Sequence, residues 1–205
     1  MEQPTPSQVQ QTAPQPKTKE QLRQEIIPKR DAISPADQDT KSTIVAMQLL
    51  GLPEFKDAKT IFAYASYGSE LSTKYFIWKA LLLGKKVCVP KVDFKTGEMW
   101  PAQIKSWESL KSNNFGIPEP GIFASKVGPK EVNLILVPAA VFDLKGHRIG
   151  SGKGFYDRYL TKNNHAAKTI GLAYDLQIVN EIPAEGHDVK VDKVITEKRI
   201  ISCLG

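Results

Sequence analysis

The sequence predicts an α/β fold: a single three-layer domain with a mainly parallel central sheet and helices on both faces. Three observations carry this. Short runs rich in β-branched and aromatic residues alternate with longer amphipathic runs, as a sheet with crossover helices requires. One short run, VNLILVP (132–138), is apolar almost throughout, the mark of a strand buried on both faces. The chain has 205 residues, 41% of them hydrophobic, and no internal repeat, enough for one sizeable core.

Each element has its own signal. Residues 1–16, rich in Pro, Gln and Thr, read as a disordered tail, leaving 17–205 as the folded domain. A first helix runs from about Thr18 to Ala32, with Pro28 kinking or splitting it. Ser34-Pro35 supplies a cap followed by proline at the first helical position. The helix it opens carries Ile44, Val45, Leu49 and Leu50 and stops near Gly51. KTIFAYASY (59–67) reads as a strand. Ser72 caps a helix through Tyr75, Trp78 and Leu82 that Gly84 ends. KKVCVPKV (85–92) is a second strand, and DFKTGEMW turns at Thr96-Gly97 into a hairpin.

FGIPEPG (115–121) is a Pro/Gly loop, and VNLILVP is the expected central strand. GFYDRYLTKN (154–163) is a helix, KTIGLAYD (168–175) a strand, and VDKVITEKRIIS (191–202) closes the sheet. Ligands of such sheets bind beyond the strand C-termini. Three of those ends, Ser66–Glu70, Pro138–Asp143 and Ala173–Asp175, are expected to face one crevice.

Composition narrows the function classes. No stretch approaches eighteen continuous apolar residues, and the N-terminus has no apolar core of the secretory kind. Cys88 and Cys203 belong to no CxxC pair and read as thiols in a reducing compartment, so a cytoplasmic location is expected. The net charge of +6 permits an anionic partner. The lysines are spread without a dense run or aromatic interleaving, so a nucleotide or polyanionic small substrate fits as well as RNA does.

The densest signal is LILVPAAVFDLKGHRIGSGKGFYDRYL (134–160). A buried strand gives way at Pro138 to a polar loop in which Gly146, Gly150, Gly152 and Gly154 interleave with His147, Arg148 and Lys153, and a helix follows. Glycines let backbone N–H groups approach an anion, and a helix N-terminus adds partial positive charge. Neither common nucleotide motif matches. The position three after Gly152 is Phe155, which excludes GxGxxG, and Lys153 is followed by Gly rather than Ser or Thr, which excludes a Walker A loop.

Asp157, in the first turn of the following helix, either complements the helix dipole or ligates magnesium beside phosphate. Asp188 is the candidate second carboxylate, in competition with Asp192; His187 reads as a polar loop residue. Lys19 and Arg23, four apart, share one helix face that is either solvated or anion-binding. Glu70 lies just past a strand end, where a carboxylate suits a polar heterocycle. Of Phe155 and Tyr156, one belongs to the core and the other is free to stack on a flat ligand ring.

Several pieces in order — KEQLRQE, YASYGSELST, KKVCVPKV, FGIPEPG, the glycine-loop block and HDVKVDKVITE — resemble the 5-formyltetrahydrofolate cyclo-ligase (methenyltetrahydrofolate synthetase) family over roughly residues 17–203. The glycine-loop block is the most specific of them. The resemblance implies an ATP- and Mg²⁺-dependent ligase that converts 5-formyltetrahydrofolate to 5,10-methenyltetrahydrofolate. In that chemistry the formyl oxygen attacks the γ-phosphate, ADP leaves, and the other folate nitrogen closes the ring and expels phosphate. Such a reaction asks the protein mainly to position phosphates and neutralise charge.

Carried over by position, the resemblance implies ATP contacts at Lys19, Arg23, Arg148, Gly150, Ser151, Gly152, Lys153, Gly154 and Tyr156, with Arg148 and Lys153 acting in catalysis. It implies magnesium ligands at Asp157 and Asp188, and folate contacts at Glu70, Phe115 and Tyr156. It also implies small-molecule partners only, with no nucleic acid or membrane, and a monomer. Ser151 stands where the family often has a larger aromatic or basic residue, Phe155 where it often has Tyr, and LSTKYF departs mildly from the usual sequence after the glutamate. Two alternatives stay open: an ATP-dependent paralogue with another formyl or amide substrate, supported by Ser151, and a non-catalytic nucleotide- or RNA-binding module.

Overall fold

The computed structural model describes residues 17–150, 153–163, 166–186 and 188–203. The tail at 1–16, Ser151, Gly152 and His187 lie outside the described residues.

Helix α1 (Lys19–Asp31) opens on a reciprocal cap. The Gln21 N–H donates to the Thr18 hydroxyl at 3.2 Å, and the Thr18 N–H donates to the Gln21 side-chain oxygen at 2.9 Å. Pro28 does not split this helix. It lies near the C-terminal end, where it removes one main-chain donor while Leu22 and Ile26 hold the helix to the core. Helix α2 (Pro35–Gly51) has the expected Ser34 cap, which accepts from the Asp37 N–H at 3.1 Å. A short α3 (Pro53–Asp57) follows.

Strand β1 is only Thr60–Phe62; the chain beyond it runs as an irregular segment toward Glu70. Helix α4 (Lys74–Leu82) starts after Thr73 rather than Ser72. The Thr73 hydroxyl donates to the Tyr64 carbonyl at 2.7 Å, so it ties α4 to the chain leaving β1 instead of capping the helix. Strands β2 (Lys86–Asp93) and β3 (Glu98–Ile104) form the expected antiparallel hairpin, with Gly97 at φ +71° in its turn. A two-residue ribbon, β4 (Lys111–Ser112) with β5 (Pro118–Glu119), flanks the Pro/Gly loop.

Strand β6 (Leu134–Val137) is buried at all four positions. The stretch after it, expected to be one glycine loop, instead builds β7 (Val141–Asp143) and β8 (Arg148–Ile149) before α5 (Phe155–Asn163). Then come β9 (Lys168–Leu172), β10 (Ile178–Val179), β11 (Lys193–Ile195) and β12 (Ile200–Ser202).

The main sheet has the order β12-β11-β9-β6-β1-β2-β3, so β6 is central as expected. Its five inner strands are parallel, and only the edges β3 and β12 pair antiparallel. Side chains alternate between its faces. Ile61, Leu134 and Leu136 pack in one cluster with Val45 and Leu49 of α2 and Phe76 of α4, while Phe62, Ile135 and Val137 pack with Tyr159 and Leu160 of α5. Burial on both sides is what the uninterrupted apolar run of β6 requires.

A second sheet, β10-β7-β8, carries α1 through Leu22 and Ile26 packed on Val141 and Ile149. The fully buried Asp143 organises it. Its carboxylate accepts from the N–H groups of Lys145, His147 and Ile182 at 2.8, 2.9 and 3.1 Å and lies 2.8 Å from His147 Nδ1. Gly146 has φ +85°, and a Cβ there would meet the Val191 carbonyl oxygen at 2.5 Å. Gly146 and His147 therefore build the β7–β8 turn and are not part of an anion cradle.

Among the described residues, no helix is long and apolar enough to cross a membrane.

Candidate active site

A cavity of about 440 Å³ opens at the C-terminal ends of β1 and β6, between the last turn of α1 and the start of α5. Arg30, Glu70, Pro138, Arg148, Lys153 and Tyr156 are among its walls. Two of the three strand ends expected there do line it. The third, Ala173–Asp175, does not: Tyr174 is fully buried, and Asp175 receives the Arg199 Nε at 2.8 Å. Gln177 explains this, because its amide donates to the Ala139 and Ala140 carbonyls at 2.9 and 3.1 Å and seals that end of the sheet.

The basic face of α1 is not merely solvated. Lys19 Nζ donates to Asp188 Oδ2 at 2.7 Å and lies 3.1 Å from Glu185. Burial lowers the Lys19 pKa, but Asp188 and Glu185 outweigh it and leave it raised. Arg23 donates through Nε and Nη2 to the Gly150 carbonyl, 3.2 Å each, and pairs with Glu20. Helix α1 is thus bolted to the loop that leads into α5.

Arg148, on β8, has a side chain only 3% exposed. Its Nη2 donates to Asp157 Oδ1 at 2.7 Å and its Nη1 to the Val189 carbonyl. Burial lowers its pKa, while Asp157 and Asp188 both act to raise it. Both candidate metal ligands therefore act on one buried guanidinium, Asp157 through a direct hydrogen bond. Asp192, the competing carboxylate, is absorbed elsewhere: it accepts from the Thr169 N–H at 2.8 Å and the Thr169 hydroxyl at 3.2 Å.

Among the described residues, no group of three or more His, Cys, Asp or Glu converges into a ready-made metal cage. Magnesium, however, typically takes one or two carboxylates and completes its shell with phosphate oxygens and water. Asp157 and Asp188 fit that pattern. Asp157 engages Arg148 through Oδ1 and has no partner for Oδ2 among the described residues.

Glu70 is half-buried, and its Oε2 accepts from the Tyr67 N–H at 3.2 Å. Burial pushes its pKa up to about 7, against the Tyr67 N–H and Arg30, which lower it. Tyr156 stacks on Phe62 with centroids 6.1 Å apart and planes 19° apart. Burial raises its phenol pKa, and its hydroxyl is buried with no hydrogen-bond partner among the described residues.

Gly154 has φ +62°, and a Cβ there would press within 3.1 Å of Arg158 Nη1. Gly150 is in open space, so its part is the carbonyl it offers to Arg23. Lys153 Nζ sits over the rings of Phe94 and Phe115, at 5.1 and 5.4 Å. Phe115 is 66% exposed and stands at the rim with Phe94 rather than on the cavity wall. Phe94, in the β2–β3 turn, also meets Phe155 edge-on at 6.0 Å. Phe155 has no hydroxyl to offer, and its ring lies 5.0 Å from the Arg158 guanidinium.

Two residues escaped the sequence reading. Phe94 has only its aromatic type beside a turn as a signal. Arg30 had a better one: with Lys19 and Arg23 it continues the same face of α1, eleven positions beyond the first. A groove of about 560 Å³ between α2 and α4, walled by Tyr75, Trp78 and Trp107, contains none of the groups described above.

Residues 15–197 match the model of the 5-formyltetrahydrofolate cyclo-ligase family. The chain is 33% identical over 195 residues to the 5-formyltetrahydrofolate cyclo-ligase of Mycolicibacterium smegmatis, covering 92% of this chain and 98% of that one. The Haemophilus influenzae enzyme of the same name is 33% identical over 180 residues, 86% of this chain and 96% of its own. Among solved structures, Aquifex aeolicus 5,10-methenyltetrahydrofolate synthetase superposes with a TM-score of 0.80 at 32% identity, over 91% of this chain and 93% of that one. On the match of all but its ends to one family model, and on relatives covered nearly end to end, the chain belongs to the 5-formyltetrahydrofolate cyclo-ligase family.

Proposed function

We propose that the protein cyclises 5-formyltetrahydrofolate to 5,10-methenyltetrahydrofolate at the expense of ATP, releasing ADP and phosphate. The observation that carries this reading is one cavity with two chemically different kinds of wall. Glu70 suits a polar heterocycle. Arg148 and Lys153 flank the N-terminus of α5, where phosphate is favoured.

The folate formyl oxygen attacks the γ-phosphorus and the bond to the β-phosphate oxygen breaks, so ADP departs. The second folate nitrogen then attacks the activated carbon, loses its proton and expels phosphate. The chain's part is positioning and charge. Lys19 and Arg23 hold the phosphates from α1. Lys153 and the backbone at Gly150, Ser151, Gly152 and Gly154 wrap them, and Arg148 neutralises charge as it moves to the leaving group. Glu70 accepts N–H donors of the pterin ring, Tyr156 supports it, and Phe115 closes the rim. Asp157 and Asp188 would hold Mg²⁺, which neutralises the ATP phosphates when bound.

The enzyme acts as a monomer on these small molecules, without nucleic acid or membrane, in the cytoplasm. In support of a reducing compartment, Cys88 and Cys203 are free thiols. The test is direct: incubate the protein with MgATP and 5-formyltetrahydrofolate and follow the near-ultraviolet absorbance of the methenyl product. The product band is expected with both substrates and absent without ATP. Its absence at high enzyme concentration overturns the assignment.

A further inference from the structure

Arg30 is the unused cation of the cavity. Its side chain is 14% exposed, lines the same space as Glu70, and leaves α1 from its last turn. Its Nε donates to the Ser69 hydroxyl at 3.0 Å, and Ser69 in turn donates to Asp31. That relay fixes the guanidinium beside the residue preceding Glu70. Its Nη1 and Nη2 have no hydrogen-bond partner among the described residues, so up to four N–H donors on this cavity-lining side chain are open to an oxygen from outside the chain.

We propose that Arg30 is a specificity-determining residue that donates to the ring carbonyl oxygen of the folate heterocycle. The inference rests on the reading of Glu70 as the pterin contact. A reduced pterin presents along one edge an amino group, a ring N–H and a carbonyl oxygen: two donors and then an acceptor. Glu70 supplies acceptors for the donors. Arg30, held next to it by Ser69, supplies the donor for the carbonyl. Together they complement the whole edge, where Glu70 alone reads two-thirds of it. A heterocycle with an amino group in place of the carbonyl would set donor against donor, which a site built for hydrogen bonding rejects strongly.

The test is equilibrium titration, without ATP, of wild-type protein and of Arg30→Gln, Arg30→Lys and Ser69→Ala with two ligands. These are 5-formyltetrahydrofolate and its analogue carrying a 4-amino group in place of the 4-oxo group. Wild-type protein is expected to prefer the oxo ligand. In Arg30→Gln the oxo ligand should bind on the order of 10- to 100-fold more weakly, as a lost charged hydrogen bond dictates. The oxo-to-amino preference should shrink with it, because glutamine donates or accepts equally well. Arg30→Lys should keep part of the preference, and Ser69→Ala should lose part of it. ATP affinity should stay within about twofold in all three, since Arg30 is held beside Glu70 rather than among the phosphate-binding groups. If Arg30→Gln weakens both ligands equally, or neither, the proposal fails and Arg30 is a structural residue. Binding that shows the predicted preference without turnover would leave Arg30 assigned and count against the reaction; binding of neither ligand to wild type overturns both.

Discussion

Arg148 Nη2 donates to Asp157 Oδ1 at 2.7 Å, joining β8 to the first turn of α5. This pair gives Asp157 two duties. The guanidinium is almost wholly buried, so removing its carboxylate leaves a desolvated cation with less compensation. Asp157→Ala should therefore destabilise the protein by about 1–3 kcal/mol, the figure held down because Asp157 itself is partly exposed. Asp157→Asn, whose amide oxygen still accepts from Arg148, should cost less than about 1 kcal/mol. Both should lower kcat/KM for MgATP by roughly 100-fold or more. Denaturant unfolding and kinetics at several magnesium concentrations separate the two effects. Unchanged magnesium dependence in the asparagine variant would remove Asp157 from the metal site.

Glu70 makes the protein's stability depend on pH in an unusual direction. Its pKa rises from 4.5 to about 7 on folding, chiefly through burial. Between those values the native state binds the extra proton, so this group's contribution to stability falls as pH rises from 4.5 to 7 and is flat above. Glu70→Gln removes the penalty. It should leave stability near pH 4.5 unchanged and raise it at pH 8 by up to about 3 kcal/mol, at the cost of folate affinity. Thermal unfolding of both proteins at pH 4.5 and pH 8 checks this. Equal differences at the two pH values would mean that Glu70 ionises without cost.

Lys19 and Arg23 differ in what they hold. Lys19 neutralises Asp188, whereas Arg23 spends two donors on the Gly150 carbonyl. Lys19→Ala should weaken ATP binding but lower the magnesium requirement, because Asp188 is freed of a competing cation. Arg23→Ala should weaken ATP binding by about tenfold while leaving the magnesium requirement alone. Titration of each variant with ATP at fixed and varied magnesium distinguishes them. ATP affinity unchanged in both would confine these residues to pinning α1.

What the sequence made legible was local or periodic. The caps at Thr18 and Ser34 depend on residues three positions away, and β6 declares itself by four consecutive buried residues. Glu70, Arg148 and Tyr156 line one cavity, and Arg23 reaches its loop at Gly150, but neither Lys19 nor Arg23 lines the cavity, and Lys19 meets Asp188 instead. The hidden part is non-local. The β7–β8–β10 sheet is made of strands of two or three residues, held by an Asp143 carboxylate that reaches Ile182, 39 positions on. No window of sequence contains that contact. For the same reason Gln177 gave no warning that it would close the sheet end at Ala139 and withdraw Ala173–Asp175 from the site.

Glycines make the last contrast, because equal residue type conceals unequal constraint. Gly171, in β9, leaves no room: a Cβ there would stand 2.5 Å from Phe142 Cε1 and 2.6 Å from Cζ. Phe142 is fully buried on β7 and has no free volume to retreat into. Gly171→Ala should therefore cost about 2–4 kcal/mol through overpacking. Because Phe142 pairs with Arg148 across β7 and β8, the strain should also raise KM for ATP. A methyl added at Gly150 would have no neighbour within 4 Å, and the residue is not at positive φ, so Gly150→Ala should change stability by less than about 0.5 kcal/mol. Any loss of ATP affinity in that variant then reads the loop's contact with the nucleotide free of any folding defect. Urea midpoints for the two variants, beside ATP titrations, decide the matter: a large shift for Gly150→Ala, or none for Gly171→Ala, would contradict the packing described for these two positions.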